Sequence, residues 1–377
     1  MKRLNRRKFL RYSAFLSGGL LCARLVERCG ISELFAASFE PNLYEASFYK
    51  KLAGNIAKCE ICPNECEVKP NERGFCGIRE NRGGKYYLIT HSRPCSMNID
   101  PIEKKPLFHY YPGEKAFSIA TAGCNIACKF CQNWEISQYR PEEVPYTKAT
   151  PAEIAEMASN SKCKTIAYTY SEPVVFYEFM RDTAIEGNKR GVKSVVITNA
   201  YINEKPLLEL TKVVGAIKVD FKAFNDSFYQ NVCKGELKPV LKSMELIVRQ
   251  GVHLEIVHLT IPTLNDSEKE IREMSKWIKN NLGELVPVHF TRFHPMYKLK
   301  NLPPTPPSTI IRAREIAVSE GLKYVYTGNL PGNDGENTYC HKCGKLIIKR
   351  LGFYIKENNI KGGKCPYCGQ KIPGVFS

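Results

Sequence analysis

The chain has 377 residues, more than one hydrophobic core usually needs, so we expect a central domain with smaller flanking modules. Its 16 cysteines fall into tight groups, which favours metal or cluster binding over the scattered pairs of a small disulfide-stabilised secreted domain. The net charge of +17 is concentrated in residues 1–30 and 340–377, each with eight Lys and Arg against one acid, so the nearly neutral remainder argues against a nucleic-acid-binding body.

Residues 1–37 have the pattern of an export leader. Residues 5–11 read Asn-Arg-Arg-Lys-Phe-Leu-Arg, and an apolar stretch over 12–23 follows before Arg24 interrupts it. A twin-arginine signal has this order of basic and apolar segments. A basic amphipathic leader that stays in the cytoplasm is the alternative. No other segment reaches 18 apolar residues, so we expect no other membrane span.

Residues 55–115 are rich in Cys, Pro and Gly and have little periodicity, which predicts a small module ordered by metal. Four thiols lie within 18 residues of this segment, at Cys59, Cys62, Cys66 and Cys76. This spacing suggests one bound metal. Zinc and a second iron-sulfur cluster are equally consistent with it.

Residues 116–330 alternate short apolar runs with amphipathic stretches, the pattern of repeated βα units. We therefore predict an α/β fold, a partial (β/α)6 barrel, whose site residues follow the carboxyl ends of the strands. The predicted strands are 116–120, 165–169, 194–198, 217–221, 254–259 and 288–292. The predicted helices lie near 151–160, 173–190, 204–212, 238–250, 267–282 and 307–320.

The loop after the first predicted strand spaces three thiols as C-x3-C-x2-C, at Cys124, Cys128 and Cys131. Three thiolates in one short loop can hold a four-iron, four-sulfur (4Fe-4S) cluster, whose usual complement is four protein ligands. One iron would then stay open to a small molecule, as a catalytic metal site requires. A zinc loop or a set of inert thiols is the alternative, which the position directly after a strand disfavours.

The predicted C-terminal module, residues 338–377, contains two C-x2-C knuckles, each followed by a glycine that permits a tight turn. The four thiols of Cys340, Cys343, Cys365 and Cys368 predict a closed tetrahedral site of zinc-ribbon type, with zinc as the expected ion. Rubredoxin-like iron, an auxiliary cluster and disulfides are the alternatives. The remaining cysteines are interpreted as ordinary side chains; these are Cys22, Cys29, Cys95, Cys163 and Cys233.

With Phe130 as the aromatic residue before the third thiol, the central loop resembles that of the radical S-adenosylmethionine (SAM) superfamily. Segments 131–137, 168–173 and 220–222 are similar to those of pyruvate formate-lyase activating enzymes. The likeness to the radical SAM member of the AmmeMemoRadiSam system covers about residues 55–377 and includes segments 100–107, 292–295 and 326–329. This resemblance implies a 4Fe-4S cluster on the three cysteines, SAM at the open iron, and a 5'-deoxyadenosyl radical that abstracts hydrogen from a substrate.

The resemblance also implies which residues surround SAM and the substrate. Glu172 occupies the position of a Gly-Gly-Glu turn that holds the SAM amino group, although Tyr170 and Ser171 replace the two glycines. The other candidates are Phe130, Asn133, Asn199, Asp220, Lys222, His258, Arg292 and His294. An ordinary loop or capping role is the alternative for the polar strand-end residues, and His294 is as consistent with a structural histidine.

Three functions compete at this point. The first is an activase-like enzyme that abstracts hydrogen from a partner protein; the second applies the same chemistry to a small molecule or nucleic acid. The third is a non-enzymatic electron carrier or metal-organised scaffold, which leaves the polar strand ends unexplained. The implied partners are a reductant such as flavodoxin or ferredoxin, a protein substrate and a Memo-like protein. We expect a cytoplasmic enzyme because SAM and reductant belong there, with twin-arginine export or membrane association through the leader as the alternative.

Overall fold

In a computed structural model that describes residues 39–376, the centre of the protein is an eight-stranded sheet. Seven of its strands are parallel and lie side by side in the order of the chain. They are Lys115–Ala120, Thr165–Tyr168, Lys193–Thr198, Ala216–Asp220, His253–Thr260, Val288–Arg292 and Val325–Gly328. The eighth strand, Ser96–Pro101, pairs antiparallel with the first of these and forms one edge of the sheet.

Helices connect the parallel strands, and their boundaries agree closely with the sequence periodicity. The principal helices are Pro151–Asn160, Tyr177–Lys189, Glu204–Thr211, Leu237–Arg249, Glu268–Asn281 and Pro307–Ser319. Shorter turns of helix are Ala53–Asn55, Ile102–Lys104, Trp134–Ser137, Pro141–Glu143, Pro173–Phe176, Asp226–Phe228, Tyr229–Cys233 and Asp334–Glu336.

The helix starts follow local capping chemistry. The Thr150 hydroxyl accepts a hydrogen bond from the Glu153 amide at 3.3 Å, while the Glu153 carboxylate accepts from the Thr150 amide at 2.7 Å. This reciprocal pair satisfies two amides that would otherwise lack a partner at the helix end. Ser267 caps the helix Glu268–Asn281 by one hydrogen bond, since its hydroxyl accepts from the Glu270 amide at 3.2 Å.

The prediction of an α/β partial barrel built from βα units is confirmed, and all six predicted strands are present. Two strands of the main sheet were not predicted. Val325–Gly328 adds a seventh parallel strand, and Ser96–Pro101 belongs to the main sheet although it lies within the cysteine-rich segment. The first is only four residues long, and the second shows no clean alternation of buried and exposed residues, so neither has a strong period-2 signal.

Short strands form two small sheets before the barrel. One contains Tyr49–Lys51, Ala57–Cys59 and Glu67–Val68; the other contains Tyr44–Glu45, Arg79–Arg82 and Lys85–Leu88. A buried ion pair joins this region to the barrel: Arg79 Nη2 lies 2.6 Å from Glu178 Oε2, and Arg79 Nε donates to the Val175 carbonyl at 3.0 Å.

The C-terminal strands Thr338–Tyr339, Leu346–Leu351 and Tyr354–Asn358 form a third small sheet, which packs against the segment before the first parallel strand. Arg350 Nη2 donates to the Phe108 carbonyl at 2.9 Å, and His109 Nδ1 lies 2.7 Å from the Pro373 carbonyl oxygen. No helix within residues 39–376 is long and apolar enough to cross a membrane. The predicted leader, with Cys22 and Cys29, falls outside the described residues.

Candidate functional site

A cavity of about 460 Å³ opens at the carboxyl ends of the parallel strands. Its volume falls within the range of small-molecule sites. Nine of the residues singled out from the sequence line it: Cys124, Cys128, Cys131, Phe130, Asn133, Glu172, Asn199, Asp220 and Lys222. The structure thus brings the three thiols and most of the expected polar residues to one site.

The loop that carries the three cysteines begins where the strand Lys115–Ala120 ends. Gly123 adopts a φ of +97°, and its amide donates to the Ile136 carbonyl at 2.9 Å. The turn Tyr229–Cys233 supports the other side of the loop, because the Ala127 amide donates to the Cys233 carbonyl at 2.8 Å. The same turn places the Cys233 side chain beside Cys128.

The spacing of the three thiols fits a cluster better than a single ion. Within residues 39–376, the C-terminal cysteines are the only group of three or more potential ligands whose atoms all lie within 4.8 Å of one another. Sulfurs that bind separate irons of one cube lie farther apart, at roughly 6 Å. The sulfurs of Cys124, Cys128 and Cys131 are therefore not gathered as ligands of one tetrahedral ion would be, which favours a 4Fe-4S cluster, and all three residues line the cavity.

Glu172 is a buried carboxylate at the cavity wall. Its Oε1 accepts from the Thr198 hydroxyl at 2.6 Å and from the Val174 amide at 3.1 Å, and its Oε2 accepts from the Asn199 amide at 2.8 Å. Burial raises the pKa of Glu172 to about 7 against these hydrogen bonds. The side chain is thus fixed in one orientation and titrates near neutral pH.

Tyr170 shows how the turn before Glu172 forms without the two expected glycines. Its φ is +66°, in the left-handed region that glycine adopts without strain, so a tyrosine takes the backbone conformation of a glycine. Its carbonyl accepts from Asn133 Nδ2 at 2.8 Å, and its hydroxyl donates to Asp100. The Ser171 hydroxyl donates to the Thr121 carbonyl at 2.6 Å, which ties this turn to the cysteine loop.

Asp100 is the centre of a polar cluster beside the cavity. It accepts hydrogen bonds from Lys104 at 2.8 Å, from Lys105 at 2.6 Å and from Ser118 at 2.9 Å. Burial alone would raise the pKa of Asp100, but the lysines and Tyr170 lower it well below the ordinary value. The sequence marked this segment only as a family motif, and the structure adds Lys105 to the cavity lining.

Asp220 lies between two lysines on the cavity wall. Lys218 Nζ is 2.5 Å from Asp220 Oδ1, and Lys222 Nζ is 3.5 Å from Oδ2. Lys222 also lies 5.9 Å from the centre of the Phe130 ring. The alternation of side chains along a strand brings positions 218 and 220 to one face, so Lys218, which the sequence analysis missed, also lines the cavity.

Asn199 connects the cavity to the cysteine loop. Its Nδ2 donates to Asn125 Oδ1 at 2.9 Å and lies 4.0 Å from Cys124 Sγ. Its Oδ1 accepts from the Tyr201 amide at 2.8 Å. Asn199 is thus both a wall of the cavity and a support for the first thiol.

Three expected site residues do not line the cavity. The His258 ring is fully buried within 3.1 Å of the Phe221 carbonyl oxygen, and Arg292 Nε donates to the Thr305 carbonyl at 2.8 Å. Alternation explains both corrections, because their neighbours Val257, Leu259 and Thr291 face the cavity instead. His294 lies beyond the strand end and is exposed outside the cavity.

The C-terminal cysteines form a compact tetrad. The sulfurs of Cys340 and Cys368 lie 3.6 Å apart, and those of Cys343 and Cys365 lie 3.7 Å apart. Four sulfurs at about 2.3 Å from one tetrahedral ion are about 3.8 Å from each other, so the tetrad fits a single metal ion. Both knuckle glycines, at positions 344 and 369, have a φ of +71°.

The N-terminal cysteines also meet at one place. Cys59, Cys62, Cys66 and Cys76 line a second, smaller cavity together with Arg79 and other residues. All four are free thiols; Cys59 and Cys62 are buried, and Cys66 and Cys76 are half-buried.

Comparisons with known proteins agree with this site. The radical SAM superfamily profile matches residues 118–277. An uncharacterised protein of Methanocaldococcus jannaschii is 47% identical over 334 residues, which cover 88% of this chain and 99% of that protein.

Two activating enzymes are more distant relatives. The pyruvate formate-lyase-activating enzyme of Clostridium pasteurianum is 24% identical over 48% of this chain and 80% of its own length. The benzylsuccinate synthase activating enzyme of Thauera aromatica is 22% identical over 44% of this chain and 54% of its own length. The chain belongs to the radical SAM superfamily, which implies a 4Fe-4S cluster and SAM as its cofactors.

Proposed function

We propose that this radical SAM enzyme is activase-like: it cleaves SAM reductively and abstracts a hydrogen atom from a partner protein. The observation that carries the proposal is the convergence of three cysteine thiols and the buried Glu172 carboxylate on one cavity at the strand ends. Three thiolates would leave one iron of a four-iron cube without a protein ligand, and the cavity that they line would hold SAM.

Cys124, Cys128 and Cys131 would hold a cluster that, once reduced by an external one-electron donor, would supply the electron that breaks a sulfonium bond of SAM and gives methionine and a 5'-deoxyadenosyl radical. Glu172 would orient the SAM amino group: a carboxylate has about four acceptor positions, and protein donors occupy three of those on Glu172. Lys222 and Lys218 would place positive charge near the SAM carboxylate, and Asp220 neutralises the charge of only one of them. Asn199 would hold Cys124 in place and line the path to the ribose.

The apolar residues at the mouth of the cavity favour a polypeptide as the substrate. Phe353, at the turn of the C-terminal hairpin, lines the cavity, and its neighbours Leu351 and Tyr354 are exposed by 46% and 69%. Adjacent exposed apolar side chains at a site entrance are typical of a protein-binding surface. The distant relationship to two activating enzymes favours the same substrate class.

The reaction is tested by incubating the anaerobically reconstituted, reduced protein with SAM. Release of 5'-deoxyadenosine and methionine is expected, and a Cys128→Ala variant should release neither. Equal release from the variant would contradict the assignment of the cluster to these thiols.

The substrate class is tested separately, by mass spectrometry of polypeptides that co-purify with the enzyme. We expect one residue of the partner polypeptide to be modified, and only when SAM and reductant are both present. We also expect Tyr354→Ala, a change next to Phe353 but outside the cavity lining, to weaken that modification while leaving SAM cleavage without substrate unchanged. A modified small molecule or RNA in place of a polypeptide would favour the second candidate function, and no SAM cleavage at all would favour an electron carrier or scaffold.

We also propose zinc as the ion of the C-terminal tetrad. Its sulfur spacing fits one tetrahedral ion, and four thiolates would fill all four coordination positions of that ion.

We further propose membership of the AmmeMemoRadiSam system, with a Memo-like partner and a flavodoxin or ferredoxin as the electron donor. The segments at 100–107, 292–295 and 326–329 support this assignment. A cytoplasmic location follows for the working enzyme, because SAM and reductant are available there.

A further inference from the structure

The N-terminal cysteines are built into one site by the backbone around them. Cys59 ends the strand Ala57–Cys59, and its amide donates to the Cys66 carbonyl at 2.9 Å. The Phe75 amide lies 3.4 Å from Cys66 Sγ, as a donor to a thiolate would. The wall of the cavity includes Arg79, whose guanidinium is buried and places a positive charge beside the four thiols.

The spacing of these thiols distinguishes them from the C-terminal tetrad. No three of Cys59, Cys62, Cys66 and Cys76 have sulfurs within 4.8 Å of one another, whereas all four C-terminal sulfurs do. A single tetrahedral ion needs sulfurs about 3.8 Å apart. Neither these sulfurs nor those of Cys124, Cys128 and Cys131 are gathered as the ligands of one ion would be, whereas thiolates that each bind a different iron of one cluster lie farther apart.

The small cavity lies directly behind the loop of the first cluster. A Cβ added at Gly123 would meet the Cys76 carbonyl oxygen at 2.6 Å, so the backbones of the two cysteine loops are in contact. Asn64 Nδ2 donates to the Asn125 carbonyl at 2.7 Å, and Asn125 itself lines the small cavity. Gly123 and Asn125 flank Cys124, so both contacts reach the chain at the first ligand of the SAM-binding cluster.

We propose that Cys59, Cys62, Cys66 and Cys76 hold a second 4Fe-4S cluster, adjacent to the first. Four thiolates occupy all four irons, so this cluster has no position for SAM and serves as a one-electron centre. It would take one electron from a low-potential one-electron donor of the flavodoxin or ferredoxin class, with no bond formed or broken. The proposal is independent of the SAM reaction and stands on the residues of the small cavity.

The test removes the first cluster and asks what remains. In a Cys124→Ala, Cys128→Ala, Cys131→Ala variant reconstituted anaerobically, we expect about four iron and four sulfide per chain, against about eight of each in the unchanged protein. Reduction with dithionite should give an electron paramagnetic resonance signal that SAM does not alter. Zinc in place of iron, or no metal in a variant whose circular dichroism is unchanged, would overturn the proposal.

A second variant keeps the test decisive if the first does not fold. Cys62→Ala with Cys66→Ala should lose about four of about eight iron, and the remaining signal should respond to SAM. A Cys163→Ala variant, which changes a cysteine outside all three groups, should keep the full iron content. Full iron retention in the Cys62, Cys66 variant would also overturn the proposal.

Discussion

Gly123 is a residue at which both backbone conformation and packing restrict the sequence. Its φ is +97°, and an added Cβ would lie 2.6 Å from the Cys76 carbonyl oxygen and 2.9 Å from Ile78 Cγ2. We expect Gly123→Ala to lower the free energy of unfolding by about 3 kcal/mol or more and to reduce the iron content. Denaturant unfolding and iron analysis would measure both effects.

Gly191→Ala is the matched control, because Gly191 also has a positive φ, of +73°, but nothing lies within 4 Å of its added Cβ. Backbone strain alone should cost about 1–2 kcal/mol there, without loss of iron. Equal losses of stability and iron in the two variants would show that the close approach of the two cysteine loops at Gly123 adds nothing to the effect of the alanine.

Glu172 should make SAM binding depend on pH. Since burial raises its pKa to about 7, the carboxylate is charged above that pH and protonated below it. A protonated carboxyl cannot accept from the SAM amino group as strongly, so affinity should fall about tenfold from pH 8 to pH 6. Anaerobic calorimetry would measure the dissociation constant.

Glu172→Gln should bind SAM more weakly at pH 8 and lose most of this pH dependence. Glu156→Gln, on the exposed face of the helix Pro151–Asn160, should behave as the unchanged protein does. The same pH dependence in Glu172→Gln would assign the titration to another group.

The grouping of the cysteines was the most predictable feature of the individual residues, because their spacing within each loop is read directly from the sequence. Their role as ligands stays a prediction. Glu172, Asn199 and Asp220 also lie at the cavity, as strand ends should. His258 and Arg292 also lie near strand ends but do not line the cavity. Proximity to a strand end does not determine which face of the sheet a side chain lies on. Lys218 was missed because it lies inside a strand, where only its register with Asp220 reveals that it faces the cavity.

Among the elements, the junction between the N-terminal strands and the helix Tyr177–Lys189 depends on one buried ion pair. The side chains of Arg79 and Glu178 are only 2% and 0% exposed. Removing one partner leaves the other charge buried and unpaired, so Arg79→Met should cost about 3–5 kcal/mol. The free energy of unfolding, measured by denaturant titration, would give this loss.

Lys212→Met is the control, because its ion pair with Glu209 is exposed and should leave stability unchanged. A loss of similar size in both variants would attribute the effect to general sensitivity and not to the buried pair.

The six predicted strands were correct because runs such as residues 193–198 are apolar over most of their length and end at polar residues. The strands around the N-terminal cysteines, two to four residues long, carry no such period. Their pairing depends on contacts between distant residues, such as Asn81 Nδ2 with the Val68 carbonyl at 2.7 Å, which no local pattern encodes.

For the whole molecule, the C-terminal tetrad should hold its sheet against the barrel independently of the iron site. Cys343→Ser with Cys368→Ser is expected to lose about one zinc per chain, retain its iron and exchange amide hydrogens faster over residues 338–376. Metal analysis and hydrogen exchange would measure these changes. Lys342→Ala, an exposed residue of the same knuckle, should change neither, and unchanged zinc in the double variant would contradict the tetrad as the site.

The proposed reaction requires three thiols to leave one iron free for SAM at the mouth of the barrel. Electron-nuclear double resonance of the reduced protein, with SAM labelled by 17O in its carboxylate, tests this requirement. We expect a hyperfine coupling between the label and the cluster that disappears in Cys128→Ala. A reduced cluster without coupling to the label would rule out SAM binding at that iron.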